Sequence, residues 1–323
     1  MTAFKTIKGV PVKTISGDRA GASFEGQLYY DSDGVGIFKF VGALGAGSWA
    51  SGGNLNTARG SGASIGTQNA SLFVGGEDPL ATPSVFALNE SYNGTSWTEL
   101  ADLNTARPGA VGSGTQTAGI VAGGEAPTTA NTELWNGSSW SEVNNLNTGR
   151  KNAHSFLGGL QTASLVISGQ SGPPTTVTVN VESWDGTNWT EIANVNTARR
   201  FGAGAGTQTS ALFSGGGSTT NVESWNSTSW TETTELNTAR GETAGAGSSN
   251  TNALVFGGNP AIAITESWNG STWTEVADMA TGKNNKGGTG SNTLALAIGG
   301  QPGVTTATEE WTVAHAIKTV ALS

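Results

Sequence analysis

Short apolar runs, each stopped by a pair of small residues, recur along most of this chain. They are SLFV before Gly75–Gly76, GIVA before Gly123–Gly124, ALFS before Gly215–Gly216, ALVF before Gly257–Gly258 and ALAI before Gly299–Gly300, with SLVI before Ser168–Gly169 as the variant. Runs this short, bounded by glycine, predict buried β-strands rather than helices. After each run comes Glu-x-aromatic, and in the first five cases a Trp follows five residues later: Tyr92/Trp97, Trp135/Trp140, Trp184/Trp189, Trp225/Trp230 and Trp268/Trp273. The text between those aromatics is NGTS, NGSS, DGTN, NSTS and NGST. Asn-Gly or Asp-Gly between two strands predicts a tight hairpin whose two central residues need φ > 0.

A third landmark precedes every run. NLNTAR ends at Arg59 and returns in related form at Arg107, Arg150, Arg199, Arg240 and, as DMATGK, at Lys283, with spacings of 48, 43, 49, 41 and 43 residues. A fixed period decides the architecture. Each unit predicts four strands: A after the basic residue, B the apolar run, C with Glu-x-Trp and D with the second Trp. GTQT (Gly114, Gly206), GTQN (Gly66) or GLQT (Gly159) marks the A–B turn. A four-stranded meander repeated six times is the pattern of propeller blades around a channel.

The sixth unit has Glu309-Glu310-Trp311 but no second Trp, while Trp49 stands alone ten residues before Arg59, the distance that separates the second Trp from the basic residue in every complete unit. The segment around Trp49 is therefore expected to be the fourth strand of blade six. That closes the ring and removes its open edges. All 11 Trp residues then serve as blade markers, so inter-blade packing outweighs a sugar-stacking role for them. The expected fold is all-β: a six-bladed propeller over residues 43–323, with a small β anchor over residues 1–42.

Composition narrows the chemistry. With no Cys and two His, disulfides, thiolate metal sites and cysteine nucleophiles are excluded. Residues 1–42 hold five Lys/Arg and four Asp/Glu, and the remainder holds 10 and 20. Such an acidic surface has no basic stripe for phosphates and repels anionic membranes, so neither nucleic acid nor membrane is an expected partner. No apolar run reaches a membrane span and MTAFKTIKGV lacks a signal-peptide core, so a soluble product not exported by the general secretory route is expected.

Basic residue, apolar strand into Gly-Gly, Glu-x-Tyr/Trp and then Trp together resemble the kelch repeat of the kelch and galactose-oxidase propellers, over about 280 of the 323 residues. The NTAR…GTQTA…GG…ESWNGTSW wording also resembles kelch-like proteins of marine bacteriophages, and GQLYYDSDG is similar to segments near the ends of phage tail and fibre proteins. The resemblance implies a bacteriophage virion protein, made in the host cytoplasm and displayed on the particle surface as a tail fibre, head fibre or decoration protein.

From the second residue of each small pair to the Glu of strand C the count is 14, 9, 13, 7, 8 and 9. Rigid scaffolds vary where they bind, so the face carrying these B–C loops and the NTAR loops is the expected recognition surface. Glu77, Asp78, Asn89, Glu125, Gln170, Asn180, Asn259 and Gln301 are its candidate residues, and the two longest loops, Glu77–Asn89 and Gln170–Asn180, are the first choice. Unselected drift in exposed loops is the competing reading. A host-surface glycan or protein is the expected ligand.

The galactose-oxidase likeness stops at the fold, because its copper site needs histidines, tyrosines and a thioether-forming cysteine. The six basic residues read as structural, bonding nearby carbonyls or the repeat Glu, and a Glu that recurs in every blade does not read as a catalytic pair. Asp31-Ser32-Asp33-Gly34 opens like a calcium loop but lacks the distal Glu, and a hairpin turn explains it. No cofactor, metal or catalytic residue is expected. The rival reading is a glycan-processing enzyme of sialidase or lyase type with a channel site, for which Glu242 is the nearest candidate. His154, in a unit with two extra residues before its A–B turn, is the one local anomaly and reads as a bulge. In the anchor, Tyr29, Tyr30, Phe38 and Phe40 are the candidate docking residues, and the tail from Thr312 is expected to pair there. The anchor would contact other virion proteins or a sister subunit in a homo-oligomer.

Overall fold

The computed structural model describes residues 6–7, 10–11, 13–15, 28–31, 37–125, 127–153, 159–284 and 287–319, with side chains only from residue 46 to residue 314. Among them every regular element is a β-strand and there is no helix. The architecture is all-β and β-propeller-like, a set of small antiparallel sheets. The chain divides into two compact units, residues 48–311 and residues 1–47 with 312–323.

Within the larger unit, repeats one, two, four and five are four-stranded antiparallel meanders in chain order. In repeat one the strands are Ala63–Thr67, Ala70–Val74, Asn89–Tyr92 and Trp97–Glu99. Strands A and B are buried except at their turn ends, with Ile65, Leu72, Phe73 and Val74 as their large apolar residues. Strand C instead buries its Glu and its aromatic residue.

Repeat three keeps B, C and D as Ser164–Ile167, Val181–Trp184 and Trp189–Ile192. Beside them lies a second sheet, in which Arg150–Lys151 pairs with Gln170–Ser171, itself paired with Thr176–Val177. Most of the expected strand A of this repeat, with His154, lies outside the described residues. In repeat six, Gly287–Gly290 and Leu294–Ile298 are followed in the sheet by the strand that begins at Thr308 and then by the strand that ends at Ser51.

Neighbouring repeats share their cores. Ile65, Leu72 and Val74 of repeat one pack with Val121, Trp135 and Trp140 of repeat two. Phe73, Tyr92 and Trp97 of repeat one pack with Leu296 and Ile298 of repeat six. The paired aromatics of strands C and D lie with ring centroids 4.9 to 5.3 Å apart, and Trp49 lies 5.6 Å from Trp311 in the same way. The Trp97 indole donates to Thr308 Oγ1 and that of Trp189 to Thr132 Oγ1, each the first residue of a strand C. Trp49 makes the equivalent bond to Thr265 Oγ1 at 3.0 Å. Packing between repeats, the role expected for these aromatics, is what they do.

The backbone joins repeats as well. The N–H of the second residue of each small pair donates to the carbonyl of the next basic residue: Gly76 to Arg107, Gly124 to Arg150, Gly169 to Arg199, Gly216 to Arg240, Gly258 to Lys283 and Gly300 to Arg59, all at 2.9 to 3.2 Å. The first glycine must be glycine on space as well as on φ. At Gly75 (φ +67°) an added Cβ would stand 2.5 Å from the Arg107 carbonyl, and at Gly299 (φ +59°) 2.3 Å from that of Arg59. Where repeat three has Ser168 instead, its hydroxyl donates to the Arg199 carbonyl and accepts the Arg199 N–H.

The C–D hairpins differ from the expected turn. Tyr92 faces Trp97 in the register, so Gly94 and Thr95 are the central pair, and only the glycine has positive φ. One left-handed residue, at the first central position, is the type II′ pattern. The preceding Asn does other work: Asn93 Oδ1 accepts the N–H groups of Thr95 and Ser96 at 2.9 Å each. Asp185 takes the same role at 2.7 Å, and those two bonds hold its carboxyl below the usual carboxylate range. In repeat four Ser227 occupies the glycine position at φ 75°. Ser227→Gly is expected to raise the unfolding free energy by about 0.5–1 kcal/mol, the relief of left-handed strain less the added chain entropy, measured by urea denaturation.

In the smaller unit, Thr6–Ile7 pairs antiparallel with Val10–Pro11, and Lys13–Ile15 pairs parallel with Leu28–Asp31. Leu28–Asp31 forms an antiparallel pair with the strand starting at Ile37, in the register Leu28↔Phe40, Tyr29↔Lys39, Tyr30↔Phe38 and Asp31↔Ile37. The expected hairpin is therefore present, with its turn outside the described residues. The candidate docking residues sit on these two paired strands, Tyr30 opposite Phe38.

Candidate functional site

The strongest electrostatic feature is structural. In repeat five, Glu266 Oε2 accepts Asn237 N–H and Nδ2 at 2.8 Å each, while Oε1 accepts Thr238 N–H at 3.3 Å and Arg240 Nη2 at 2.9 Å. The same arrangement joins Arg59 to Glu90, Arg150 to Glu182 and Arg199 to Glu223. Arg107 and Glu133 approach to 3.0 Å without hydrogen-bond alignment. All ten side chains are at most 2% exposed. Burial lowers the pKa of each of these arginines and the partner Glu opposes that shift. The pairs clamp each NTAR loop to strand C of its own repeat, leaving nothing at the surface for a ligand.

The B–C loop face behaves differently. Two residues after each of the five arginines, the backbone turns left-handed: Ser61 (φ 55°), Gly109 (64°), Asn152 (54°), Phe201 (60°) and Glu242 (53°). These positions are linked from repeat to repeat. Gly109 N–H donates to the Ser61 carbonyl at 2.8 Å, Asn152 N–H to Gly109 at 2.9 Å, Phe201 N–H to Asn152 at 3.1 Å and Thr243 N–H to Phe201 at 3.4 Å. Four non-glycine residues held left-handed store strain of about 1–3 kcal/mol each, and such strain concentrates at functional sites.

This collar borders a cavity of about 80 Å³ lined by Gly62–Ser64, Ala110–Gly112, Ala153, Gly204, Thr243–Gly245 and Gly287–Gly288. The walls of this central space are small side chains and backbone. Among the described residues no group of three or more His, Asp or Glu could hold a metal ion.

Most of the candidate residues sit on the rim of the collar. Glu77, Glu125, Gln170, Asn259 and Gln301 occupy one position, the first after the small pair, and their backbones pair with or bond to the residue after the basic one. Their side chains reach the collar: Ser61 Oγ donates to Glu77 at 3.0 Å, Asn152 Nδ2 to Gln170 Oε1 at 3.4 Å, and Asn259 Nδ2 to Glu242 at 3.3 Å. Lys151 beside the collar binds Glu125. Asp78 folds the long loop of repeat one, its carboxylate accepting Leu80 N–H at 2.9 Å, so that Leu80 stands 90% exposed at the tip.

Three candidates need correction as free loop groups. Asn89 is the buried first residue of strand C, its Nδ2 donating to the Ala101 carbonyl. Gln170 is only 6% exposed because it lies in the short strand paired with Lys151. Asn180 is half-buried: its carbonyl accepts Arg150 Nη1 at 2.8 Å and its amide bonds Glu191. Each is anchored because loop ends are where the NTAR clamp and strand C take up the backbone.

The sequence reading singled out neither Ser61, Asn152 and Phe201 nor the A–B turn amides. Gln116 Nε2 donates to the Tyr92 carbonyl, Gln161 to Trp135, Gln208 to Trp184, Asn250 to Trp225, and Gln68 to both Ala295 and Trp311, each tying one repeat to its neighbour. For the four Gln, a fixed place two residues after the turn glycine was the available signal; Asn250 stands three residues after Gly247.

Compared with protein-family models and with curated proteins, the chain matches none. Its function is therefore argued from this geometry.

Proposed function

We propose that the chain is a non-enzymatic binding scaffold, a closed six-bladed propeller of kelch type carried on a bacteriophage particle, whose collar and B–C loops engage a host-surface glycan or protein. Six equivalent Gly N–H to carbonyl bonds support the closed ring, the last running from Gly300 back to Arg59. The Gln68 bonds to repeat six and the Trp49 bond to Thr265 support it independently. The virion setting rests on the resemblance of the repeat wording and of GQLYYDSDG.

One observation carries the binding role. At the collar the repeats hold equivalent strained backbone yet present Ser61, Gly109, Asn152, Phe201 and Glu242, five different side chains. At the Glu of strand C and the paired aromatics, by contrast, equivalent positions repeat the same residue types for packing. Phe201 is half-buried with the Arg200 guanidinium 5.1 Å from its ring centre, and amides and carboxylates flank it. An aromatic face among hydrogen-bonding amides and carboxylates suits a sugar.

Replacing the loop Glu77–Leu88 by the short Gly217–Asn221 loop, and separately Phe201 by Gly, is expected to abolish binding of the purified chain to host cells or a glycan array. The far-UV spectrum should be unchanged. Undiminished binding by both variants would overturn the reading.

A further inference from the structure

Repeat six departs from its sisters at the clamp. Lys283 stands where the others have Arg, Ala280 where they have Asn, and the ring of Phe73 or Phe213 is replaced by Ala297. In repeats one and four the guanidinium lies over that ring, 4.8 and 4.4 Å from its centre. In repeat six the Lys283 ammonium donates to the Pro302 carbonyl at 3.2 Å. A cavity of about 160 Å³ results, lined by Met279, Lys283, Ala297, Gly299, Ala307 and Glu309, with Thr281 and Thr305 at its edge.

The lining matches what surrounds a guanidinium elsewhere in this chain. Arg59 Nε donates to the Gly75 carbonyl at 3.0 Å and Nη2 to Phe73 at 2.8 Å. Arg240 Nη1 donates to Ile264 at 3.3 Å, and its Nη2 lies 2.9 Å from Glu266. Their repeat-six equivalents are Gly299, Ala297, Ala307 and Glu309, four of the cavity's lining residues. Glu309 is half-buried where its five counterparts are at most 1% exposed. Its carboxylate takes the Ala280 N–H at 2.7 Å, where Glu90 and Glu266 each take four donors. A cavity of about 150 Å³ holds a benzene, so the space admits a planar guanidinium. Arg-type forks suit a carboxylate set beside carbonyls far better than an ammonium does.

We propose that this cavity binds a guanidinium group, from either an arginine side chain of a partner protein or a small guanidinium compound. The site stands independently of the collar.

The test titrates the full chain with methylguanidinium at low millimolar concentration, against methylammonium and methylurea, followed by amide chemical shifts. Saturable shifts confined to repeat six with methylguanidinium alone are expected. Lys283→Arg restores the resident guanidinium, so it should weaken binding at least tenfold and raise Tm, and Glu309→Gln should also abolish binding. An arginine peptide that competes below the methylguanidinium concentration, where its lysine analogue does not, assigns the site to a protein partner. Competition by the free compound only assigns it to a small molecule. Absence of saturable shifts, or equal affinity in Lys283→Arg, overturns the proposal.

Discussion

Glu266→Ala is expected to lower the unfolding free energy by about 5 kcal/mol, and Arg240→Met by about 3 kcal/mol, because breaking a buried ion pair costs about 3–5 kcal/mol and each orphaned amide adds to it. The two sides of the pair are not equivalent. Removing the carboxylate strands a buried guanidinium and also the N–H groups of Asn237 and Thr238. Removing the guanidinium leaves the carboxylate with three of its four donors. Methionine also fills part of the vacated volume. Urea unfolding at neutral pH reads both values. Equal losses, or a loss below about 1 kcal/mol for Glu266→Ala, which is the range of exposed pairs, would remove the clamp from the account of stability. Against a typical stability of about 5–15 kcal/mol the alanine variant is close to unfolding, so the methionine variant keeps the test readable.

The second large effect concerns the strand that ends at Ser51. Trp49→Ala is expected to cost about 2 kcal/mol, below the scale of a fully buried aromatic because Trp49 is half-buried. Trp49 packs 4.9 Å from Phe256 and 5.6 Å from Trp311 and bonds Thr265, so it touches repeats five and six at once. A loss of that size, with a single cooperative transition retained, is what a ring completed by this strand requires. A Trp49 on a peripheral strand would instead cost well under 1 kcal/mol.

Sequence reading reached the periodic features because the period is local. Strand B, the Gly stop, Glu-x-Trp and the Trp after the hairpin recur at fixed short separations, so strand identity and the meander could be read without tertiary knowledge. Trp49 was legible as well, because its ten-residue distance to Arg59 matched the other repeats. The turn type was misread for a local reason. The Asn-Gly signal predicts those two residues as the central pair, whereas the register moves the pair one residue on and makes the Asn side chain an acceptor for Thr95 and Ser96.

The site was only half legible. Loop lengths pointed to the face that carries the collar and to Glu77, Glu125, Asn259 and Gln301 on its rim, but burial of Asn89 and Gln170 depends on partners outside their own stretch: Ala101 and Lys151. Nothing local marks Phe201 as left-handed, whereas Asn152 carries only the readiness of Asn for that region; both are bonded through the backbone to neighbouring repeats. The repeat-six cavity is similar. Lys283 for Arg and Ala280 for Asn are plain in the sequence as a degraded copy, yet only the folded chain shows that the two losses meet at Glu309 and leave space there.

The sequence by itself determined what each repeat is, because hydrophobic period, turn residues and the recurring Glu-x-Trp and NTAR motifs are properties of short stretches. Tertiary structure alone decided where the repeats differ in consequence. A collar, a rim and a vacated pocket are made from residues about 20 to 50 positions apart, and their geometry exists only once neighbouring repeats bond to one another.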